Sequence, residues 1–354
     1  DPAISASTAS PSVRRATRLA MMVCATPITA PTIAITATPP MCGAPRARKP
    51  NTTAMATGRS GATLRRSLAG GGRVTWVHEP GSPVAVTCWP FSQVLHAYAL
   101  SDSVSGPARF PGLVRGLAAY RDPRGAYRES IGRGKRYYDD NAWLGLAFLQ
   151  RHAFSTGRAS RQRASDIDEF VQSGLDPATG GIQWVEDGDT QNACSTGAGA
   201  LLHGLLGGRV DGSLDFLAAL RNGDGLVQDH VRADGSIEPA VYSYNQGLLI
   251  AAAYRGGHPV LAREASEAGN EYFTVERLWQ QPVCFNAVYA KAQLLVGRGE
   301  TVREYAAMLD QEGRDHAGWF TLAGRYDDGS VLDTAGALQM FMLLEFPHLI
   351  DRVV

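Results

Sequence analysis

One pattern, returning six times, constrains this chain more than any other feature. Each occurrence is an aromatic or acidic loop, then a polar residue, then an apolar helix rich in small residues. The six begin at Trp89 (WPFSQVLHAYAL), Asp139 (DDNAWLGLAFL), Asn192 (NACSTGAGALLHGLL), Tyr244 (YNQGLLIAAAY), Phe285 (FNAVYAKAQLL) and Asp333 (DTAGALQMFMLLE). Successive starts lie 50, 53, 52, 41 and 48 residues apart, so one supersecondary unit is repeated along the chain. The helices carry few charges and are apolar nearly all round, the mark of helices buried on every side. Between them run amphipathic stretches, at Pro111–Tyr120, Ser160–Ser173, Gly212–Arg221, Pro259–Tyr272 and Thr301–Gln311. The alternation of buried and surface helix predicts an all-α (α/α)6 toroid of six inner and about six outer helices. Extended segments such as Gly181–Val185 would form small hairpins at most. The inner helices then run parallel, and the long loops before them (residues 122–138, 177–191, 222–243 and 313–332) converge at one mouth, where function is expected.

The first 72 residues differ in kind. Between Pro2 and His78 there is no acid, but there are ten basic residues, and no aromatic residue precedes Trp76. Such a segment can bury little and is expected to be poorly ordered. Three readings fit its composition: a basic, Ser-rich transit peptide; a signal peptide whose apolar run, Leu19–Cys24, is interrupted by Pro27 and Pro31; or translation of an incorrect reading frame in GC-rich DNA. The bias towards Ala, Arg, Pro and Thr favours the third. The domain layout is therefore 1–72, low-complexity and disordered or mistranslated, and 73–354, the toroid. The sixth outer helix would have to come from about Thr53–Ala69. No convincing signal peptide is present, and the cytoplasm is favoured without being fixed.

From Glu79 onward the chain holds 33 acids against 24 bases, an excess of negative charge that argues against a nucleic-acid partner. The five cysteines are scattered singly, without CxxC or CxxH spacing, so buried thiols are expected rather than a zinc site or a disulfide framework. No apolar run is long enough for a membrane span. A monomer without metal or cofactor is expected.

The richest loop is Tyr137-Tyr138-Asp139-Asp140-Asn141-Ala142-Trp143. By itself, a DD pair at a helix start is an N-cap plus a solvated acid. Here two tyrosines precede it, Trp143 follows it and an apolar helix stands behind it. Adjacent Cα atoms are about 3.8 Å apart, and their carboxyls can diverge towards the roughly 5–5.5 Å that retaining glycosidases need. The helix N-terminus stabilises one anion, and repulsion raises the proton affinity of the other. The pair can thus divide into an ionised nucleophile and a protonated acid. Trp184, Trp319 and Tyr244 offer flat apolar faces for a pyranose ring, while Asn192, Asn245 and Gln246 offer amides to its hydroxyls.

These residues resemble glycoside hydrolase family 76, the endo-acting α-1,6-mannanases. The likeness rests on YYDDNAWLGLAFL (Tyr137–Leu149), GGIQW (Gly180–Trp184), NACSTGAGALL (Asn192–Leu202) and YSYNQGLLIAA (Tyr242–Ala252), in the family's order and spacing. It implies an (α/α)6 barrel that hydrolyses with retention and without a metal. It further implies Asp139 as nucleophile and Asp140 as general acid/base, with Trp184, Asn192, Tyr244 and Asn245 lining the groove; Tyr138, Asn141, Trp143 and Gln246, beside them at the helix starts, are further substrate-binding candidates. Two departures touch the substrate side: Gln183 stands where the family often has a second tryptophan, and the family's QFKG-like segment reads Cys284-Phe285-Asn286-Ala287.

The expected function is hydrolysis of α-mannosidic linkages in an oligo- or polysaccharide, with α-1,6-mannan as substrate. Two other classes compete: a sugar epimerase or isomerase of the same shape, and a non-catalytic glycan-binding protein. Epimerase chemistry usually relies on paired histidines at the mouth, whereas His96 and His203 fall inside inner helices and read as core.

Overall fold

The computed structural model describes residues 51–354, apart from 71–73, 105–107, 156–157, 322–328 and 354. The described residues belong to one compact unit. The boundary expected after residue 72 falls inside that unit, because a helix from Asn51 packs on the last inner helix. The rest of the acid-free stretch, residues 1–50, lies outside the described residues.

Outer and inner helices alternate, beginning with α1 (Asn51–Arg65, outer), α2 (Cys88–Val104, inner), α3 (Phe110–Leu117, outer), α4 (Tyr138–Phe154, inner) and α5 (Arg158–Gln172, outer). There follow α6 (Ala193–Leu206, inner), α7 (Asp211–Ala219, outer), α8 (Ser243–Arg255, inner) and α9 (Pro259–Tyr272, outer). After a short α10 (Val275–Trp279) come α11 (Val283–Leu295, inner), α12 (Glu300–Glu312, outer) and α13 (Val331–Glu345, inner). Each inner helix packs on the inner helices before and after it, and α13 packs back on α2, which closes the ring. The sequence pattern placed all six inner starts within two residues. Helix α1 fills the sixth outer position against α13, held by Arg59–Asp310 and by Arg314 Nη2 donating to Ser60 Oγ. No helix among the described residues is long and apolar enough to cross a membrane.

Small residues let the inner helices approach. A Cβ on Gly247 of α8 would lie 2.7 Å from the backbone of Tyr289 in α11, and one on Gly336 of α13 would lie 2.8 Å from the backbone of Cys284. Large side chains fill the remaining space, among them Phe91, Trp143, Phe148, Tyr289 and Phe341, each at most 2 % exposed. Burial of each such side chain contributes about 2–3 kcal/mol against the entropy of ordering the chain.

A second regularity fixes the mouth loops. The fourth residue of an inner helix turns its side chain back onto the hairpin before it. Asn141 Oδ1 accepts from Tyr127 N at 2.8 Å, Thr196 Oγ1 from Ile182 N at 2.8 Å, Gln246 Oε1 from Val227 N at 2.9 Å, and Thr334 Oγ1 from Phe320 N at 3.1 Å. Asn286, fourth in α11, donates instead to Leu278 O at 2.6 Å. In four repeats a tight turn makes the hairpin, an Asx turn at Asp122, Asp176 and Asn222 and a backbone turn closed by Gly318 N on Asp315 O, so that Arg121 faces Tyr127, Leu175 faces Ile182, Arg221 faces Val227 and Arg314 faces Phe320.

Extended structure is sparse. A two-stranded pair, β1 (Leu68–Ala69) with β2 (Trp76–Val77), joins α1 to α2. At the mouth β3 (Gln191–Asn192), β4 (Gln228–Val231) and β5 (Ile237–Val241) form an antiparallel sheet in the order β3-β4-β5, with Asn192 opposite His230.

Candidate active site

Asp139 and Asp140 occupy the second and third positions of α4, in the turn where helix N–H groups are unsatisfied and favour negative charge. The loop 184–186 pairs with residues 136–138: Tyr138 N donates to Trp184 O at 3.0 Å, Glu186 N donates to Arg136 O at 3.0 Å, and the Arg136 guanidinium is paired with Glu186. This pairing sets Trp184 beside the carboxylates.

The two aspartates live in different surroundings. Asp139 Oδ1 accepts from Asp140 N at 3.0 Å, and its Oδ2 accepts from Trp184 Nε1 at 3.2 Å and Cys194 Sγ at 3.5 Å. Burial pushes Asp139 up to about 6, and these donors pull the other way. Among the described residues Asp140 receives no such donor, and burial followed by the charges of Asp139 and Glu129 drives it well above the usual carboxylate range. The donors set the direction of the split: they favour the anion at Asp139, while burial and the neighbouring charges favour the proton at Asp140.

Glu129 is a third acid of this cluster; burial raises it, and its bond to Tyr137 pulls it down. Its backbone carbonyl accepts from Cys88 N at the start of α2, at 2.8 Å. The Tyr137 ring meets Trp184 edge-on, with centroids 5.1 Å apart. Two helices round the ring, Asp333 Oδ1 accepts from Cys284 N at 2.9 Å and Glu79 Oε2 accepts from Val331 N at 3.0 Å; burial raises both acids.

The remaining sequence-predicted residues divide. Trp184 is at the pair, half-buried. Asn192 pairs with His230, and its Oδ1 accepts from Thr190 Oγ1 at 2.8 Å. Tyr244 stacks on Phe285 with centroids 4.4 Å apart, and Trp89 approaches the same ring at 6.0 Å, so an aromatic cluster spans the starts of α2, α8 and α11. Asn245 is fully buried; its Nδ2 donates to Asp229 Oδ1 at 3.3 Å, and its Oδ1 has no partner among the described residues.

Five others serve the scaffold. Asn141 and Gln246 are fully buried and spend their amides on loop backbone: Asn141 Nδ2 donates to Tyr127 O and Tyr137 O, and Gln246 Nε2 donates to Ala265 O. Tyr138 turns outward and stacks on Phe170 of α5, with centroids 4.7 Å apart. Trp143 points down the barrel, edge-on to His96. Trp319 is buried under the Arg66 guanidinium. His96 is core as expected, but His203 is half-exposed and paired with Asp168 on α5.

The sequence reading missed Asp229 and His230. Asp229 is 6 % exposed; it takes Asn245 Nδ2 on one oxygen and faces His230 Nδ1 with the other, at 2.9 Å. The signal available was a short extended run directly after the Asn222–Gly225 turn. Cys88, Cys194 and Cys284 are buried thiols at inner-helix starts. The described residues contain no cluster of His, Cys, Asp or Glu able to hold a metal ion.

The described residues thus form a closed (α/α)6 ring with a half-buried, electrostatically divided carboxylate pair in its mouth. No protein-family model and no curated protein matches the sequence. Solved structures match its fold closely. A family 76 glycoside hydrolase from a bovine Bacteroides thetaiotaomicron strain superposes with a TM-score of 0.73 at 18 % identity, over 84 % of this chain and 78 % of that one. An α-1,6-mannanase of Salegentibacter sp. HEL1_6, an inactive variant with two consecutive aspartates changed to asparagine and α-1,6-mannotriose bound, gives 0.66 at 15 % identity over 83 % and 99 %. A D-mannose isomerase gives 0.64 at 9 % identity over 85 % and 100 %. The fold is thus the (α/α)6 toroid of the family 76 enzymes.

Proposed function

We propose that the chain is a retaining glycoside hydrolase cleaving α-mannosidic linkages, with α-1,6-mannan as substrate. One observation carries this reading: of two adjacent half-buried aspartates, Asp139 is supplied with donors and Asp140, among the described residues, with none. Asp139 is then the nucleophile that attacks the anomeric carbon, and Asp140 is the acid that protonates the leaving oxygen and later draws a proton from water. Trp184 orients the nucleophile and, with Tyr137, offers aromatic surface beside it. Asn192, Tyr244 and the Asp229–His230 dyad are the nearest candidates for hydroxyl and ring contacts. The α-1,6-mannoside follows from the family resemblance and from the mannotriose bound by the Salegentibacter enzyme.

Incubation with α-1,6-mannan should release mannose oligosaccharides, and the first product observed by proton NMR should have the α configuration. Asp139→Asn and Asp140→Asn should each lower turnover by more than about a thousandfold without loss of folding. A well-folded protein that releases nothing from α-mannans would overturn the proposal, and so would a fully active Asp139→Asn variant. A sugar-isomerase reading has one observation in its favour, the bracing of His230 by Asp229. It requires interconversion of mannose with its ketose, which a direct assay separates from hydrolysis.

A further inference from the structure

Taking Asp139 as the nucleophile, the geometry points to one further residue of the reaction: we propose that Cys194 is a positioning residue whose thiol holds the Asp139 carboxylate for attack. Cys194 is the second residue of α6, the inner helix next to α4, and is 2 % exposed. Its Sγ lies 3.5 Å from Asp139 Oδ2, the oxygen that also takes Trp184 Nε1. On its other side Sγ lies 3.9 Å from Ser195 Oγ, and Ser195 is fully buried. A hydroxyl donating into the sulfur polarises the S–H bond towards the carboxylate, and such chains strengthen one another in a low-dielectric site.

The choice of sulfur has a chemical consequence. A thiol is a weak donor and a hydroxyl a strong one. The charge on the nucleophile is spent in the transition state, so a donor that binds the resting anion more tightly than the transition state slows attack. Cys194 therefore fixes the direction of the carboxylate at little cost to its nucleophilicity. Serine would fix it as well but hold the charge harder. Alanine would release one restraint and leave Trp184 and Asp140 N as the remaining donors.

The test uses the whole chain with Cys194→Ala and Cys194→Ser, and two readouts. The first is the infrared S–H stretch, with the band of Cys194 identified by its loss in Cys194→Ala. It should move to higher frequency as pH falls through the titration of Asp139, near 6, and should not move in Asp139→Asn. The second is the pH dependence of kcat/KM on α-1,6-mannan. In Cys194→Ala the acid limb should rise and kcat/KM fall by a few-fold, less than the roughly tenfold loss expected when a strong donor to a charged group is removed, mostly in kcat. Cys194→Ser should return the acid limb to its native position or below it. A side chain that merely fills space predicts an S–H band indifferent to pH and an unmoved acid limb, and either result overturns the proposal. If the band follows Asp139 but no mannan is cleaved, the thiol–carboxylate bond stands and the assignment as a mannanase fails.

Discussion

Lys291 is the least expected charge in the molecule, and replacing it makes the sharpest test of how the barrel is built. It stands on α11, 6 % exposed, in an apolar cavity lined by Trp143 of α4, Leu201 of α6, Leu248 of α8 and Val288 of its own helix. Its Nζ lies 3.3 Å from Gln339 Oε1 of α13 and 5.3 Å from the centre of the Trp143 ring, and the titratable group facing it is His96 of α2. Burial lowers Lys291 from its ordinary 10.5 to about 7, and burial with the Lys291 charge lowers His96 to about 3, so His96 is neutral wherever Lys291 titrates. Between those two values the unfolded chain holds the lysine proton and the folded chain does not. Stability therefore rises with pH from about 7 to about 10.5. At about 1.4 kcal/mol per pH unit, the charge destabilises the fold by on the order of 5 kcal/mol at low pH, of which about 4 kcal/mol disappears between pH 6 and pH 10. Lys291→Met removes this linkage and also the partner of Gln339 Oε1, a pH-independent loss of about 2–3 kcal/mol. The variant should be about 2 kcal/mol more stable than the native chain at pH 6 and about 2 kcal/mol less stable at pH 10. Urea denaturation of both proteins at the two pH values measures the difference, in which the other titrating groups cancel. A difference that stays the same from pH 6 to pH 10 would refute a low-pKa lysine at the barrel axis, whatever its sign.

The remaining predictions concern the mouth. Activity needs Asp139 ionised and Asp140 protonated, so kcat/KM should fall as pH drops through about 6 and again as pH rises through the elevated value of Asp140. A profile flat from pH 4 to pH 7 would contradict that assignment. Trp184→Phe keeps the aromatic face but removes the Nε1 donor at 3.2 Å from Asp139, so its acid limb should move to higher pH. Asn141→Ala strips Tyr127 N and Tyr127 O of their partner and removes one of the two donors to Tyr137 O. It should cost about 2–4 kcal/mol in chemical denaturation, and equal stability would show that the loop is held by other contacts.

The ring was legible because its signal is long-range and redundant: six apolar, glycine- and alanine-rich helices at one spacing can bury themselves only against each other. Helix α1 was hard to read because its composition, NTTAMATGRSGATLR, is polar and glycine-broken; its place comes from packing on α13 and from Arg59 and Ser60 reaching α12 and its end. The carboxylate pair was legible from DDNAW and its setting. Asn141, Gln246, Tyr138 and Trp143 were misread as groove residues because sequence shows a residue near a helix start without showing which way it turns. Asp229 and His230 were missed because a four-residue strand has no period to announce it; β4 exists because β3 and β5 flank it.

Position within the first turn supplies the rule that sequence spacing alone could not. In α4, α6, α8, α11 and α13 the fourth residue is Asn141, Thr196, Gln246, Asn286 or Thr334, and each is bonded to its own loop. A helix whose fourth side chain is tied to the preceding loop cannot rotate, so its second and third residues are held at the mouth. In chain order those are Asp139 and Asp140, Cys194 and Ser195, Tyr244 and Asn245, Cys284 and Phe285, Leu332 and Asp333. They include both carboxylates of the pair, the thiol on Asp139, the stacked Tyr244 and Phe285, and the amide on Asp229. Chemistry can therefore change at the second and third positions while the fourth keeps the ring in register. Removing a fourth-position side chain should harm folding, and a size-conserving change at a second position should leave folding intact. Cys284→Ser and Thr334→Val make the smallest such comparison: Thr334→Val leaves Phe320 N without its acceptor and should lose about 1–3 kcal/mol of stability, while Cys284→Ser should keep the native denaturation midpoint. Equal losses of stability in the two variants would mean that the first turn does not divide its work in this way.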